Sequence, residues 1–143
     1  MKIVKLKSSR RSFIGNYIIG LILLFYLFFS FYLTELSPIL LFILILLIFL
    51  FFLEPELEIV YHTYLIEEDC ISRVDGVLSK KKISIPFQSI ADQRLEKGLM
   101  GRLLDFGNVI VSGFKDEIKI KGIRKPEKIY KLIEERIRKV KNK

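Results

Sequence analysis

The sequence predicts an α-helical transmembrane hairpin followed by a mainly β domain, its antiparallel sheets forming a partly open barrel capped by a C-terminal α-helix. Three observations carry that prediction. From Phe13 to Leu53 the only charged residue is Glu35. After Glu54 the continuous hydrocarbon gives way to short, often alternating runs separated by Gly, Pro and Asp, the pattern of strands and turns. Beyond Pro126, the residues Ile129, Ile133, Ile137 and Val140 recur at helical spacing and make one apolar stripe, which needs a sheet to cover.

The hairpin comes first. "FIGNYIIGLILLFYLFFSFYLT" (Phe13 to Thr34) meets the roughly 20 residues that a helix needs to cross a hydrocarbon core about 30 Å thick. A second block, about 37–53, is shorter but uninterrupted, and "ELSP" supplies the turn between the two. A cleaved signal peptide fits poorly, because the first block exceeds the 7–15 residues of a signal core and a second apolar block follows at once. Residues 1–12 hold Lys2, Lys5, Lys7, Arg10 and Arg11 without an acid, whereas the connecting loop holds no base. That asymmetry predicts a two-span protein of the cell membrane with both termini cytoplasmic. Pro55, flanked by Glu54 and Glu56, is expected to end the second helix and open the domain at 54–143.

Strands are expected at Leu57–Ile66, Cys70–Val74, Val77–Ile85, less regularly at Ile90–Lys97, then at Asn108–Gly113 and Glu117–Ile123. Asp75-Gly76 reads as a type I′ hairpin turn. Ile83, Ile85, Ile118 and Ile120 alternate with Lys82, Ser84, Lys119 and Lys121, as a half-buried antiparallel sheet requires. "LMGRLLD" reads as a brief helical turn with Leu99, Leu103 and Leu104 inward. Pro126 suits the first position of a helix over 126–141, Glu127 suits its positive end, and Arg136, Arg138, Lys139, Lys141 and Lys143 crowd its negative end.

The net charge of +8 and pI near 9.6 invite a nucleic-acid reading, but the distribution argues against it. Five of the 24 basic residues precede the first span and one of the 16 acids lies between the spans. From Glu54 onward 19 bases therefore face 15 acids, a mixed net of +4. Basic residues beside anionic lipid, worth about 1 kcal/mol each near the headgroups, account for the charge better. The single cysteine, Cys70, excludes an internal disulfide and reads as a small buried apolar residue.

The stretch "YLIEEDCISRVDGVLSKKKISIPFQSIADQRLEKGLMGRLLDFGNVIVSG" resembles the core of the bacterial-type pleckstrin-homology (PH-like) domain of short two-span membrane proteins. The ordered positions are Tyr64, Gly76, Ile85-Pro86 and Ile90, then Arg102, Leu103, Leu104, Phe106 and Gly107, leading to Val109 and Val111. The resemblance covers about 58–137. It implies two nearly orthogonal antiparallel sheets closed at one end by the C-terminal helix, and it implies no catalytic activity. Eukaryotic PH domains bind phosphoinositides through basic residues around the first hairpin loop. The turn read here as its counterpart, Glu67-Glu68-Asp69, is acidic and would repel a phosphate.

Catalysis finds little support in the residues. His62 is the only histidine and reads as a semi-buried strand residue; Cys and His are too few for a zinc site. No phosphate loop, G-x-S-x-G or H-E-x-x-H motif occurs. Asp92 with Glu96, and Asp116 with Glu117, read as surface carboxylates. "GLMG" lacks the two-helix setting of an RNA-binding GXXG loop. No cofactor, metal or nucleic acid is expected. The best candidate surface is Arg73 with Lys80, Lys81 and Lys82 across the Asp75-Gly76 turn, read either as a lysine-protected strand edge or as a contact for anionic headgroups or an acidic partner. The sequence thus points to a non-catalytic binding module at the cytoplasmic face, engaging membrane lipids or protein partners or self-assembling. The alternative is an accessory subunit of a membrane transporter or enzyme complex that is contacted through the hairpin, with Asn16 and Ser30 as interhelical hydrogen-bonders.

Overall fold

A computed structural model describes residues 3–33 and 35–142; Lys2, Thr34 and Lys143 fall outside the described residues. The chain divides into two compact units, Met1–Ser12 with Ile59–Lys143, and Phe13–Glu58.

The second unit is a pair of long apolar helices, α1 (Ile14–Leu33) and the greater part of α2 (Pro38–Tyr61), both long and apolar enough to cross a membrane. Polar and close contacts join them. The Asn16 amide donates to Glu54 Oε2 at 3.2 Å, and the Tyr17 hydroxyl donates to Glu56 Oε1 at 3.2 Å. Gly20 lies against the Phe52 ring, where a β-carbon would collide with it. The two glutamates at the end of the apolar run are thereby given partners.

Pro55 does not end α2, contrary to the sequence expectation: it is buried inside the helix, which runs on to Tyr61. Proline removes a single backbone donor, and once a helix is established each further residue adds a bond at little cost. The residues Leu57–Tyr61, expected as strand, are consequently helical, and the strand begins at His62.

The described residues of the first unit form seven strands in two sheets. Residues 3–12, the basic segment ahead of the first apolar helix, carry β1 (Val4–Leu6). It pairs with β2 (His62–Ile66), which pairs with β3 (Cys70–Asp75), which pairs with β4 (Lys81–Pro86), all antiparallel. The second sheet is β5 (Ile90–Glu96), β6 (Phe106–Gly113) and β7 (Glu117–Arg124), also antiparallel. Among the described residues no strand pairing joins the two sheets, so they do not close into a barrel. The whole helical hairpin is inserted between β1 and β2 in chain order.

A core of mostly β-branched residues fills the space between the sheets: Tyr64, Ile66, Ile71 and Ile85 from one, Val109, Val111, Ile118, Ile120 and Ile123 from the other. Phe87, in the 3-10 turn Phe87–Ser89 that joins β4 to β5, is wholly buried among them. The C-terminal helix α4 (Pro126–Lys141) covers this core with Ile133, supported by Ile129, Ile137 and Val140, the stripe legible in the sequence. Lys125 adopts a left-handed conformation just before Pro126 and turns the chain into the helix.

Two local expectations change. Asp75 pairs with Lys81, so residues 76–80 form a five-residue loop instead of a two-residue type I′ turn. Only Gly76 has positive φ there, at 107°, and its missing side chain accommodates the Ser79 carbonyl. Val77 and Leu78, expected in a strand, have no inward face to occupy and stand exposed in this loop. The short helix α3 (Leu99–Leu104) is present, but its Leu99 and Leu103 are 85% and 80% exposed. Its contact with the domain runs instead through Gly101, whose missing side chain admits the Phe106 carbonyl. Leu104 and Phe106 are half-buried.

Candidate functional site

The basic cluster read from the sequence separates into three environments. On β3, Arg73 opposes Ile83 and Val74 opposes Lys82, so alternation places Arg73 and Lys82 on opposite faces of the sheet. Arg73 donates to Asp75 Oδ2 at 3.0 Å, while His62 Nδ1 lies 2.7 Å from Asp75 Oδ1. The Asp75 side chain is 12% exposed, and these two partners occupy both its oxygens. His62 is thus a half-buried strand residue held by a carboxylate, with the Tyr61 ring edge-on to it at 4.9 Å.

Lys82 reaches across to the β2–β3 turn and donates to Glu67 Oε1 at 2.9 Å, while the Cys70 thiol donates to Glu67 Oε2 at 3.0 Å. These two hydrogen bonds, Lys82 first, hold the Glu67 carboxyl below the usual carboxylate range. Glu67 in turn raises Lys82. Partial burial, then the adjacent Glu67, raises the Cys70 thiol. Because Glu67 is lowered on folding, its stabilising contribution is present above its ordinary value of 4.5 and disappears as pH falls through the folded value. Lys82 contributes below its ordinary 10.5 and ceases to as pH rises through its raised folded value. Both groups are substantially exposed, so the effect is small. Glu67→Gln is expected to flatten the acid-side decline of the unfolding midpoint between pH 5 and 3; an unchanged decline would show that other carboxylates govern it.

Lys80, in the β3–β4 loop, and Lys81, at the start of β4, are exposed and make no ion pair among the described residues. The loop is attached to the end of α2, since Gly76 N–H donates to the Tyr61 carbonyl at 2.9 Å. Beside it, on the outer face of the four-stranded sheet, Val60, Leu65, Val74 and Val77 with Lys5 and Lys80 line a shallow depression of about 370 Å³. Lys5 joins Lys80 there because Lys5 opposes Leu65 in the β1–β2 register. Nothing in the sequence spacing signals that juxtaposition, since 75 positions separate the two lysines.

The other bases of the N-terminal segment are distributed around β1. Lys7 and Arg10 are exposed, and the Arg11 guanidinium donates to the Leu104 carbonyl of α3 at 3.2 Å. The turn Glu67-Glu68-Asp69 connects β2 to β3, whereas β1 and β2 are separated in the chain by the two long helices. Its Glu68 and Asp69 face Arg136 and Lys139 of α4 across a depression of about 380 Å³. Of the carboxylates considered for acid–base work, Asp92 accepts from Arg94 at 2.6 Å, Glu96 from Lys119 at 3.1 Å and Glu117 from the Ser112 hydroxyl at 3.2 Å.

A four-stranded and a three-stranded antiparallel sheet over one core, with a C-terminal helix covering it, define a PH-like domain, a class whose members serve in general as binding modules. The chain belongs to the bacterial PH domain family, whose model matches residues 14–137 and so takes in the two apolar helices as well as β2 to α4. The strand β1 lies ahead of the matched region. No curated protein and no solved structure matches the chain.

Proposed function

We propose that the chain is a membrane-anchored PH-like binding module of the cell membrane, its hairpin spanning the bilayer twice and both termini cytoplasmic, with Lys80 and Lys81 engaging anionic lipid headgroups. The observation that carries this reading is a pair of exposed lysines without an ion pair among the described residues, Lys80 in and Lys81 just after a loop hydrogen-bonded to Tyr61, the last residue of a largely apolar 24-residue helix. Arg73 and Lys82 already hold carboxylates within the domain, so their charge is largely spent at home. Lys5, Lys7, Arg10 and Arg11 support the orientation, since bases accumulate on the cytoplasmic side. Tethering keeps the loop at high effective concentration near the headgroups, so a weak contact suffices.

Within the hairpin, Asn16 is bonded to Glu54 and Ser30 is buried, so these polar groups serve the two helices themselves. That weakens the reading in which the hairpin offers them to a transporter or enzyme subunit.

The test titrates the detergent-solubilised full chain with short-chain phosphatidylglycerol or phosphatidylcholine and follows retained lipid by native mass spectrometry. Lys80→Ala and Lys81→Ala are each expected to weaken phosphatidylglycerol binding about fivefold, the equivalent of about 1 kcal/mol per surface lysine. Equal affinity for the two lipids, or no change in either variant, would sink the headgroup reading. Crosslinking in native membranes would then be the route to a protein partner or a second copy.

A further inference from the structure

We propose that two apolar tips of the domain, Leu99, Met100 and Leu103 on α3 and Val77-Leu78 in the β3–β4 loop, insert into the headgroup layer of the bilayer and seat the domain on lipid. The inference rests on the membrane-anchored reading above and adds a second kind of lipid contact to it, apolar in place of electrostatic.

The first observation is exposure without a local reason. Leu99 and Leu103 are 85% and 80% exposed, Leu78 is fully exposed, and Val77 and Met100 are about half exposed. Single exposed apolar residues are ordinary, but three on one six-residue helix and two adjacent in one five-residue loop are clusters. Neither cluster serves the core: α3 is seated through Gly101, and the loop through Gly76.

The second observation is where each tip is fastened. The Leu104 carbonyl of α3 accepts from Arg11, two residues before the apolar block that starts at Phe13. Gly76 of the loop donates to Tyr61, eight residues beyond Leu53, where the second apolar block ends. Along a helix that interval is about 12 Å at 1.5 Å per residue. Each tip is therefore tied to a residue close in the chain to one end of the apolar hairpin.

The third observation is composition. Exposed Arg102 sits among the α3 apolar residues, and Lys80 and Lys81 follow Val77-Leu78. Apolar side chains beside Lys or Arg are the make-up of segments that lie in the interface, the apolar part entering about 5–10 Å and the cations staying with the phosphates. A protein partner fits less well, because each cluster of two or three side chains falls far short of the roughly 800 Å² per partner of a standard interface.

The test uses the full chain carrying Cys70→Ser, with single cysteines at Leu78, Leu103, Glu135 or Leu24, each labelled with an environment-sensitive fluorophore and reconstituted into phosphatidylcholine vesicles. Lipids bearing a nitroxide at the headgroup or along the acyl chain report depth. Labels at Leu78 and Leu103 are expected to show blue-shifted emission and quenching by the shallow nitroxide, whereas the label at Glu135, exposed on α4, shows neither. If Leu24 in α1 is quenched by the deep nitroxide while Leu78 and Leu103 behave like Glu135, the anchor stands and the insertion of the tips is overturned. If Leu24 is not quenched, the anchored reading fails and the insertion with it. Blue-shifted emission without nitroxide quenching would also overturn the proposal, because protein and not lipid would then cover the tips. Insertion that persists without anionic lipid, alongside loss of phosphatidylglycerol selectivity in the titration above, would separate the apolar contact from the lysine contact.

Discussion

Replacing Phe87 with alanine is expected to cost the β domain about 3–5 kcal/mol, the range for truncating a buried aromatic residue. Its ring is wholly buried, and its position makes that burial consequential. Phe87 opens the 3-10 turn Phe87–Ser89 through which the chain passes from the four-stranded to the three-stranded sheet, which share no strand pair. Side-chain packing is the main tie between the two sheets, and Phe87 belongs to the core that they share, with Ile66, Ile71 and Ile85 of one sheet and Ile90 and Val111 of the other. Its backbone N–H, bonded to the Asp69 carbonyl at 2.9 Å, stays satisfied in the variant, so the loss reports the ring. Against a total domain stability of about 5–15 kcal/mol, such a loss leaves little in reserve. Pulse proteolysis of the full chain in detergent across a urea series would read it. At slopes of about 1–3 kcal/mol per molar urea, the midpoint should fall by at least about 1 M. A shift of a few tenths would mean that the core collapses around the vacancy and that the sheets are held elsewhere.

Deleting residues 1–7 is expected to destabilise the β domain by about 2–5 kcal/mol, comparable to removing one large core side chain. The segment supplies β1, whose Val4, Lys5 and Leu6 pair with Ile66, Leu65 and Tyr64 of β2. Val4 and Leu6 are half-buried against the core, whereas Lys5 points out. Without β1 the backbone of β2 becomes an unpaired sheet edge next to buried Tyr64 and Ile66, which also favours aggregation. The deletion leaves Ser8 bonded to the Lys121 carbonyl at 2.8 Å and Ser9 to Gly122 at 2.6 Å, and it keeps Arg10 and Arg11. A purely electrostatic flank predicts no loss of domain stability from this deletion; a strand predicts a lowered urea midpoint. Leu6→Asp should reproduce most of the loss and Lys5→Ala little of it. An unchanged midpoint in both the deletion and Leu6→Asp would remove β1 from the folded domain.

The places where sequence and structure part have a common cause. Alternation and apolar length are local patterns, and the elements they indicate are present: two long apolar helices, strands centred on Tyr64, Ser72, Ser84, Ile110 and Ile120, and the isoleucine stripe of α4. A three-residue strand such as Val4–Leu6 is too short for periodicity to register, and five charges nearby suggested another role. Leu99 and Leu103 looked like core residues because hydrophobicity does not say which side of a short helix faces the domain. Gly101 decides that, by the close approach of the Phe106 carbonyl. The Lys80 cluster was legible as a run of charge, but its division depended on strand register and partners, Lys82 on Glu67 fifteen residues away and Arg73 on Asp75 along its own strand, on opposite sheet faces.

The sequence by itself determined the class of molecule: the apolar length of two helices, the switch to alternating strands, and the ordered residues of a PH-like core, all set by short-range periodicity. Only the tertiary arrangement inserts the hairpin between two neighbouring strands, leaves Lys80 and Lys81 without an ion pair among the described residues, and turns Leu99 and Leu103 outward. Those are matters of long-range pairing and of which side of an element meets the core, and a linear pattern of residue types carries neither.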